Sequence, residues 1–578
     1  MIIRLTFLCA ALIGSLAVMQ CSCFGDNGAD VPHVSFFKDI RPILQAKCQG
    51  CHQPAKPEGG YVMTTLQSMT IAGDSGRIGI VPGKPEKSFI IDQVTPDADG
   101  HAAMPQSGQP LVASEIDLIR RWIEAGAYDD TPESAGQKID TDHPPVYSRQ
   151  PVITSLDFSP DGRWLAVTGF HEVLLFDTAN LTAEKGQPDK RFVGLSERVE
   201  RVRFSPDGSK LLVTGGNPSR MGEVQIWDVN DGTLIQSVPV SFDTVFGGCW
   251  SPDGTVVAFG CTDNTIRAID VSTGEQVLYQ GAHEDWVLDT VFAPKGDHII
   301  SVGRDMTVKL TEFSTQRFID NITSITPGAL RGGLAAVDRH PMLDHVVVAG
   351  SDGTPRMYRI HRHSKRVIGD DANHIFDFFP IAGRVFDVRF SSDGKRVVAA
   401  GGLNGVGHVV VASYQLEKDV PQNILDIMAK VPGEQGKNRK GTKRSEQEWK
   451  TLDTFRENNT KKLADIRLSS TAYAVAFDPN SSAVVVAGSD GVVRFFDAVT
   501  GKPGKAFPVV ELDTTVVTQA SLPLPWPQEP SIEPEHDPNT GHVKAITIDP
   551  PSVALEGPFD ATQVIVFGEL DDGRSVDL

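Results

Sequence analysis

The chain has 578 residues, with 54 Lys and Arg against 74 Asp and Glu, a formal net charge of −20 at pH 7. That balance argues against a nucleic-acid partner and for an acid-surfaced protein, and the length exceeds what one compact core fills. The 54 Gly and 38 Pro suit many tight turns rather than long helices.

Residues 1–25 read as a secretory signal peptide, with Arg4 as a minimal charged start and Leu5 to Met19 almost wholly apolar. That run is too short to span a bilayer comfortably, and no other segment is apolar for long enough, so no transmembrane segment is expected. Small residues at Cys23 and Gly25 place cleavage before Asp26, with lipid attachment at Cys21 as the alternative. The expected location is the periplasm or cell envelope. Of the seven cysteines, Cys9, Cys21 and Cys23 fall in the signal, and Cys48 and Cys51 in the motif below. Only Cys249 and Cys261 remain, too few for a disulfide-built scaffold.

Residues 30–130 are organised around Cys48-Gln49-Gly50-Cys51-His52. Cys-x-x-Cys-His is the attachment signature of a c-type haem: two thiols at this spacing reach both vinyl groups of one porphyrin edge, and the adjacent imidazole falls under the iron as proximal ligand. The rival readings are a redox Cys-x-x-Cys with a chance His, or half a zinc site, but no second Cys pair lies nearby. Upstream, Asp39 is placed to cap a helix with Pro42 in its first turn, delivering Cys48 to its end. Downstream, Ser114 and Asp117 form a capping pair for a second helix, whose Ile116, Ile119 and Ile123 mark one face and which Gly126 stops. The second axial ligand must come from between them. Met104-Pro105, just ahead of the last helix, is the leading candidate, since a thioether is a soft iron ligand; Met63, Met69 and His101 are weaker rivals.

These residues carry a family resemblance. Phe37 to Leu44, Cys48 to His52, Met104-Pro105 and Ile119 to Ala127 resemble the planctomycete-type cytochrome c module over about 100 residues. The resemblance implies one haem c, held covalently by Cys48 and Cys51, with His52 and Met104 as iron ligands. Gln106 departs from the pattern, since many members carry a second proline there.

After a Pro- and Asp-rich linker, residues 131–147, a repeat begins. Phe158-Ser159-Pro160-Asp161-Gly162 recurs at Phe204 to Gly208 and Trp250 to Gly254, with looser copies at Phe292, Asp338, Phe390 and Phe477. Each lies between β-branched alternating runs, the pattern of a hairpin with a Pro/Asp/Gly turn. The period of roughly 40 to 50 residues is that of a four-stranded propeller blade, and the array resembles WD repeats. Residues 148–505 are therefore expected to form a seven-bladed β-propeller, with Asp263, Asp305, Asp352 and Asp490 as loop-bracing aspartates. His283, ahead of Trp286 and Asp305, is the nearest approach to the usual WD hydrogen-bond network.

Residues 415–467 read as an insertion projecting between the sixth and seventh blades. Its Lys/Gly-rich middle, Gly433 to Arg444, is expected to be disordered, and Asn423 to Ala429 and Ser445 to Asp465 to be helical. No catalytic constellation emerges, and His361-x-His363 is read as a surface pair. Residues 506–540 form a Pro-rich linker. Residues 541–578 alternate as strands and resemble the opening of a bacterial Ig-like domain. They number fewer than the roughly 40 residues below which a two-sheet sandwich cannot close, so they are expected either to begin a longer domain or to add strands to another surface.

The sequence thus describes a multidomain exported protein: a small all-α cytochrome c domain, an all-β seven-bladed WD-repeat propeller, and a short β tail. The expected role is one-electron transfer, the haem supplying the chemistry, with a redox partner protein and envelope proteins or polysaccharide as propeller partners. The alternative is a docking scaffold in which the haem is a redox sensor. Peroxidase-like catalysis needs an open iron position, which Met104 closes, and the fold alone names no ligand.

Overall fold

The computed structural model describes residues 34–513 apart from 54–55, 99, 107–108, 132–138, 182–186, 325–329, 367–369, 417–419 and 431–442, plus strand backbone at 543–549, 565–570 and 575–577. The expected signal peptide, Cys21, most of the basic stretch after Gly433 and the Pro-rich linker beyond 513 lie outside the described residues. Two units form, Met1–Leu512 and Asp513–Leu578.

Helices dominate the start of the first unit: α1 (Arg41–Lys47), α2 (Leu66–Met69), α3 (Phe89–Val94) and α4 (Ala113–Glu124). The capping differs from the sequence expectation. Ser35, not Asp39, opens the helical run: its Oγ accepts from Lys38 N at 3.0 Å, and Asp39 returns a bond by accepting from Ser35 N at 2.8 Å. This reciprocal pair closes a π-helical turn, Phe36–Ile40, ahead of α1. Pro42 then falls in the first turn of α1, where its missing N–H costs little. Ser114 and Asp117 do not cap α4 either. Glu115 accepts from Val112 N at 2.9 Å, while Asp117 pairs with Arg121 one turn on at 2.8 Å. Gly126 does end α4, at φ 109°, a backbone region that costs a residue with a Cβ.

These helices bury one apolar cluster, with Ile40, Leu44, Ile80, Ile119, Trp122 and Ile123 nearly inaccessible. Each such side chain contributes about 1.5–3 kcal/mol. Trp122 stacks on Phe36 at 5.2 Å and its Nε1 donates to Tyr128 O at 2.9 Å, tying the last helix to the first turn. The module is not wholly helical: His52–Gln53 pairs antiparallel with Lys56–Pro57.

From Leu156 onward the described chain is mostly β, arranged as antiparallel sheets whose strands follow one another in sequence order. Five sheets have four strands each, spanning Phe246–Gln280, Val287–Asn321, Leu334–Asp377, Arg384–Leu468 and Ala472–Pro508. The first sheet, Leu156–Ser241, has seven strands because Lys190–Phe204 changes partner along its length. Its Lys190–Val193 part pairs with Phe170–Asp177, and its Arg198–Phe204 part with Lys210–Asn217.

The Ser-Pro-Asp-Gly motif builds the turns as its chemistry requires. Ser159 Oγ donates to Asp161 and accepts from Trp164 N, while Gly162 turns at φ 76°; the same bonds recur at Ser205, Ser251 and Ser391. Each glycine also lies against the preceding repeat's proline, so that an added Cβ at Gly208 meets Pro160 at 3.2 Å and one at Gly296 meets Pro252 at 3.2 Å. Gly162 meets Pro479 of the last sheet at 3.2 Å. Ile153 N donates to Gly488 O at 3.0 Å, and Leu156, Leu165 and Phe176 share a core with Val485, Val493 and Phe507. First and last sheets therefore close on each other.

Cys249 pairs with Ala258 across its hairpin, and Cys249 and Cys261 are both free thiols. The stretch expected as an insertion is in part sheet: Thr460–Leu468 is the fourth strand of the sheet that begins at Arg384. The insertion thus leaves from within that sheet, between its third and fourth strands. The strand was hidden by its charge, since Lys461, Lys462 and Arg467 cover an exposed edge. Its flanks are helical, α5 (Gln422–Met428) and α6 (Glu446–Asn459). Arg444 is buried, its guanidinium held by Asp371 and over the Trp449 ring at 4.9 Å. Residues 506–508, expected in the linker, complete the last strand, Pro503–Pro508. Among its described residues the second unit contains three antiparallel strands, Val543–Asp549, Ile565–Leu570 and Ser575–Asp577.

Candidate functional site

Helix α1 ends at Lys47, so Cys48 leaves its last turn with its N–H bonded to Leu44 O at 2.9 Å. The chain then folds back on itself. Cys51 N and His52 N both donate to Cys48 O, at 3.2 and 3.1 Å, gathering Cys48, Cys51 and His52 into one turn. Burial pushes the Cys48 thiol up to about 12, with the Glu115 carboxylate adding to the effect, and burial also raises Cys51. A redox Cys-x-x-Cys relies on a lowered thiol pKa, the opposite of the direction in which burial moves this pair. Among the described residues no group of three or more His, Cys, Asp or Glu side chains is placed to hold a metal ion directly.

His52 Nδ1 lies 3.1 Å from Tyr61 O. A carbonyl only accepts, so Nδ1 carries the proton and Nε2 keeps its lone pair, the arrangement of a metal-ligating histidine. Tyr61 is fixed in turn, its Oη donating to Met69 O at 2.8 Å. Met63 N donates to His52 O at 2.8 Å, while Met63 and Met69 are themselves core side chains. His101, a rival for the sixth position, is solvent-exposed.

Met104 lies on the segment between α3 and α4 and is half-buried. Its N–H donates to Gln93 O at 2.8 Å, tying it to the end of α3. Further along that segment, Gln109 O accepts from Lys47 Nζ at 3.3 Å, one residue before Cys48. Glu115, at the start of α4, is close enough to act on the Cys48 thiol. The loop carrying Met104 is thus bracketed by contacts to the haem-motif helix and to α3. Cys48, Cys51 and the His52 imidazole share one turn, and the half-buried Met104 stands on a separate loop tied to α3; these donor types suit a covalently held haem.

A second cluster of charges lies among the first strands of the sheets, which neighbour one another in cyclic order. Arg201, from the long sheet, reaches Asp289 at 2.5 Å and Asp387 at 3.2 Å, both on other sheets and both buried. Burial acts to lower its pKa, but the two carboxylates outweigh it. Asp387 is pushed up by burial despite Arg201 and Arg203. Asp338 is raised by burial to about 7. Three of these carboxylates also stitch neighbouring sheets together, Asp289 accepting from Val337 N, Asp338 from Phe390 N and Asp387 from Val475 N, while Asp157 accepts from Phe204 N within the long sheet. Every one is committed to a structural partner, so the cluster braces the ring.

The loop aspartates brace their own hairpins through a rhythm the sequence reading passed over. Asp263, Asp305, Asp352 and Asp490 each pair with a cation four residues on, namely Arg267, Lys309, Arg356 and Arg494. Asp305 also accepts from His283 at 2.9 Å, and His283 Nε2 meets Ser301 Oγ at 2.7 Å. His361 and His363 do not converge: His361 engages Asp344 and His298, while His363 meets Arg359.

Comparison with known proteins follows this division of the chain. Residues 48–108 match the model for planctomycete cytochrome C. Residues 141–171, 232–270, 274–311 and 466–497 match the WD domain, G-beta repeat. The chain is 24% identical over 216 residues to a component of chromatin assembly factor 1 of Mus musculus, covering 32% of this chain and 36% of that protein. It is 30% identical over 156 residues to a WD repeat-containing protein of Synechocystis, covering 26% and 41%. It is 32% identical over 165 residues to a component of eukaryotic translation initiation factor 3 of Emericella nidulans, covering 24% and 48%. The chain thus spans between about a third and half of these curated relatives.

Proposed function

Taking as premise that the chain joins a planctomycete cytochrome c module to WD repeats, we propose that it is an exported c-type cytochrome that transfers single electrons, its propeller serving as the interaction platform. The observation that carries this is the turn holding Cys48, Cys51 and His52 together with the His52 Nδ1–H bond to Tyr61 O. Haem c, when bound, supplies the iron centre that takes up and releases one electron. Cys48 and Cys51 would hold the porphyrin through thioethers, and the Tyr61 carbonyl fixes the tautomer of His52. Met104, whose loop is restrained at Gln93, would supply the second side-chain ligand. A haem held by both His52 and Met104 would leave no iron site open to a substrate, which suits electron carriage rather than catalysis.

The haem domain is read as residues 30–130 and the propeller as 148–505, extended by its last strand. Dividing the seven-stranded sheet where Lys190–Phe204 changes partner gives seven four-stranded blades. Exposed aromatic residues such as Phe242 and Trp286 suit partner binding, with a redox protein and envelope proteins or polysaccharide as the partner classes. The β tail is read as the opening of a bacterial Ig-like domain. Among the described residues no helix is long and apolar enough to cross a membrane.

The test is expression in a host that attaches haem to exported proteins, followed by denaturing electrophoresis with haem staining and a redox titration. The expected result is one covalently retained haem per chain and a single one-electron step. A chain that leaves the cell envelope without haem refutes the proposal.

A further inference from the structure

The turn that carries Cys48, Cys51 and His52 is seated on a propeller strand. Gly50 lies so close to Leu234–Ser241 that an added Cβ would stand 2.5 Å from Ser237 O, a distance no real Cβ tolerates, so only glycine lets the turn approach. Gln53, next to His52 and 1% exposed, uses both amide hydrogens here. Its Nε2 donates to Gln49 O at 3.0 Å, within the turn, and to Ser237 Oγ at 2.9 Å, on the propeller. Having accepted from Gln53, Ser237 donates its own hydroxyl to Glu223 Oε1. Lys56 Nζ reaches Gln236 at 3.4 Å, and Arg220 lies over the Phe37 ring at 5.3 Å, flanking the contact.

Glu223 is 1% exposed and stands at the inner end of this chain of bonds. Its other oxygen accepts from Ser196 Oγ at 2.6 Å and Gln225 Nε2 at 2.8 Å, and Gln225 in turn accepts from Trp227 Nε1 at 2.9 Å. All three direct partners of the carboxylate are neutral donors. Burying a carboxylate among neutral groups is costly for a sheet; a glutamine of the same size would fill the position without a charge. A negative charge held there makes physical sense if a positive charge on the other side of the turn is stabilised by it.

We propose that Glu223 of the propeller is a positioning and charge-setting residue for the haem carried by residues 48–52. The inference rests on the haem reading above. Through Ser237 and Gln53 it fixes the backbone of the attachment turn, and its buried charge favours the more positive, oxidised state of the iron. The propeller is then part of the environment that sets the redox potential, in addition to any partner it binds.

The test uses the full-length exported protein in four forms: wild type, Glu223→Gln, Ser237→Ala, and Asp352→Asn as a control in a sheet away from this contact. Haem content is measured first. Glu223→Gln is expected to retain full haem and to shift the midpoint potential upward; Ser237→Ala shifts it in the same direction by less, and Asp352→Asn leaves it unchanged. If Glu223→Gln and Ser237→Ala lower the melting temperature while the potential and the axial-ligand absorption stay at wild-type values, the contact is packing alone and the inference is overturned. Should Glu223→Gln not fold, Ser237→Ala decides by the same criterion. A wild-type protein without haem overturns the haem reading itself, which the content measurement separates from a failure of this inference.

Discussion

Replacing Arg201 by Met tests whether the charge cluster braces the ring. Methionine matches the aliphatic stem but leaves Asp289 and Asp387, at 2% and 0% side-chain exposure, without the guanidinium they share. Removing one partner of a buried ion pair costs about 3–5 kcal/mol, because the remaining charge is uncompensated. Unfolding entropy near 2.1 cal/mol/K per residue gives about 0.8 kcal/mol/K for a ring of about 360 residues, so that loss lowers the melting temperature by about 4–6 °C. The deficit should shrink in acid, where Asp387, pushed up by burial, binds a proton and loses its charge. The triple variant with Asp289→Asn and Asp387→Asn should recover most of the loss, since each asparagine keeps an oxygen for Val337 N or Val475 N. Scanning calorimetry from pH 4 to 8 reads all three effects. An Arg201→Met protein melting within about 1 °C of wild type at pH 7, less than the shift expected from 3–5 kcal/mol, refutes the reasoning.

Three further outcomes are expected. Met104→Ala should keep its haem attached through Cys48 and Cys51 yet lose the near-red sulfur-to-iron absorption, fall in potential and bind carbon monoxide; retention of that absorption would point to another ligand. Asp338, raised by burial to about 7 in the fold from an ordinary value near 4, contributes stability that is present below pH 4 and lost as the pH rises through 7. Asp338→Asn should therefore flatten that part of the melting-temperature profile. Cys249 and Cys261 should be recovered unbridged by mass spectrometry of the unreduced protein, since Cys249 faces Ala258, three residues and roughly 10 Å along the strand from Cys261, beyond disulfide reach.

What could be read from the sequence depended on whether the chemistry is local. Cys48 to His52 is a contiguous five-residue signature that opens the stretch matching the planctomycete cytochrome C model, and Ser159 to Gly162 closes its turn with its own side chains, so both were legible. Helices α2 and α3 were not, because four- and six-residue helices carry too little periodicity to stand out. Thr460–Leu468 was obscured by lysines and arginine that suit an exposed edge strand as well as a loop. Arg201 sits in Arg-Val-Glu-Arg-Val-Arg-Phe, which reads as a solvated strand until the ring brings Asp289 and Asp387 to it. The seat of the attachment turn was hidden for the same reason: Gln53 and Ser237 are 184 positions apart, and neither residue type announces a partner.

The strand Lys190–Phe204 leaves no loop between the two halves of the sheet it joins. Where other neighbours are linked by irregular segments that bend or accept a protease, here a continuous run of backbone crosses from one to the next. Leu156 to Ser241 therefore behaves as a single plate, and strain that opens the ring should find its yield point at the non-covalent seam between Ile153 and Gly488. The attachment turn rests on Leu234–Ser241, the final strand of that plate. A pull on the helical module is thus spread across seven strands, and fragments meant to keep module and mount together must keep everything from Val34 to Ser241.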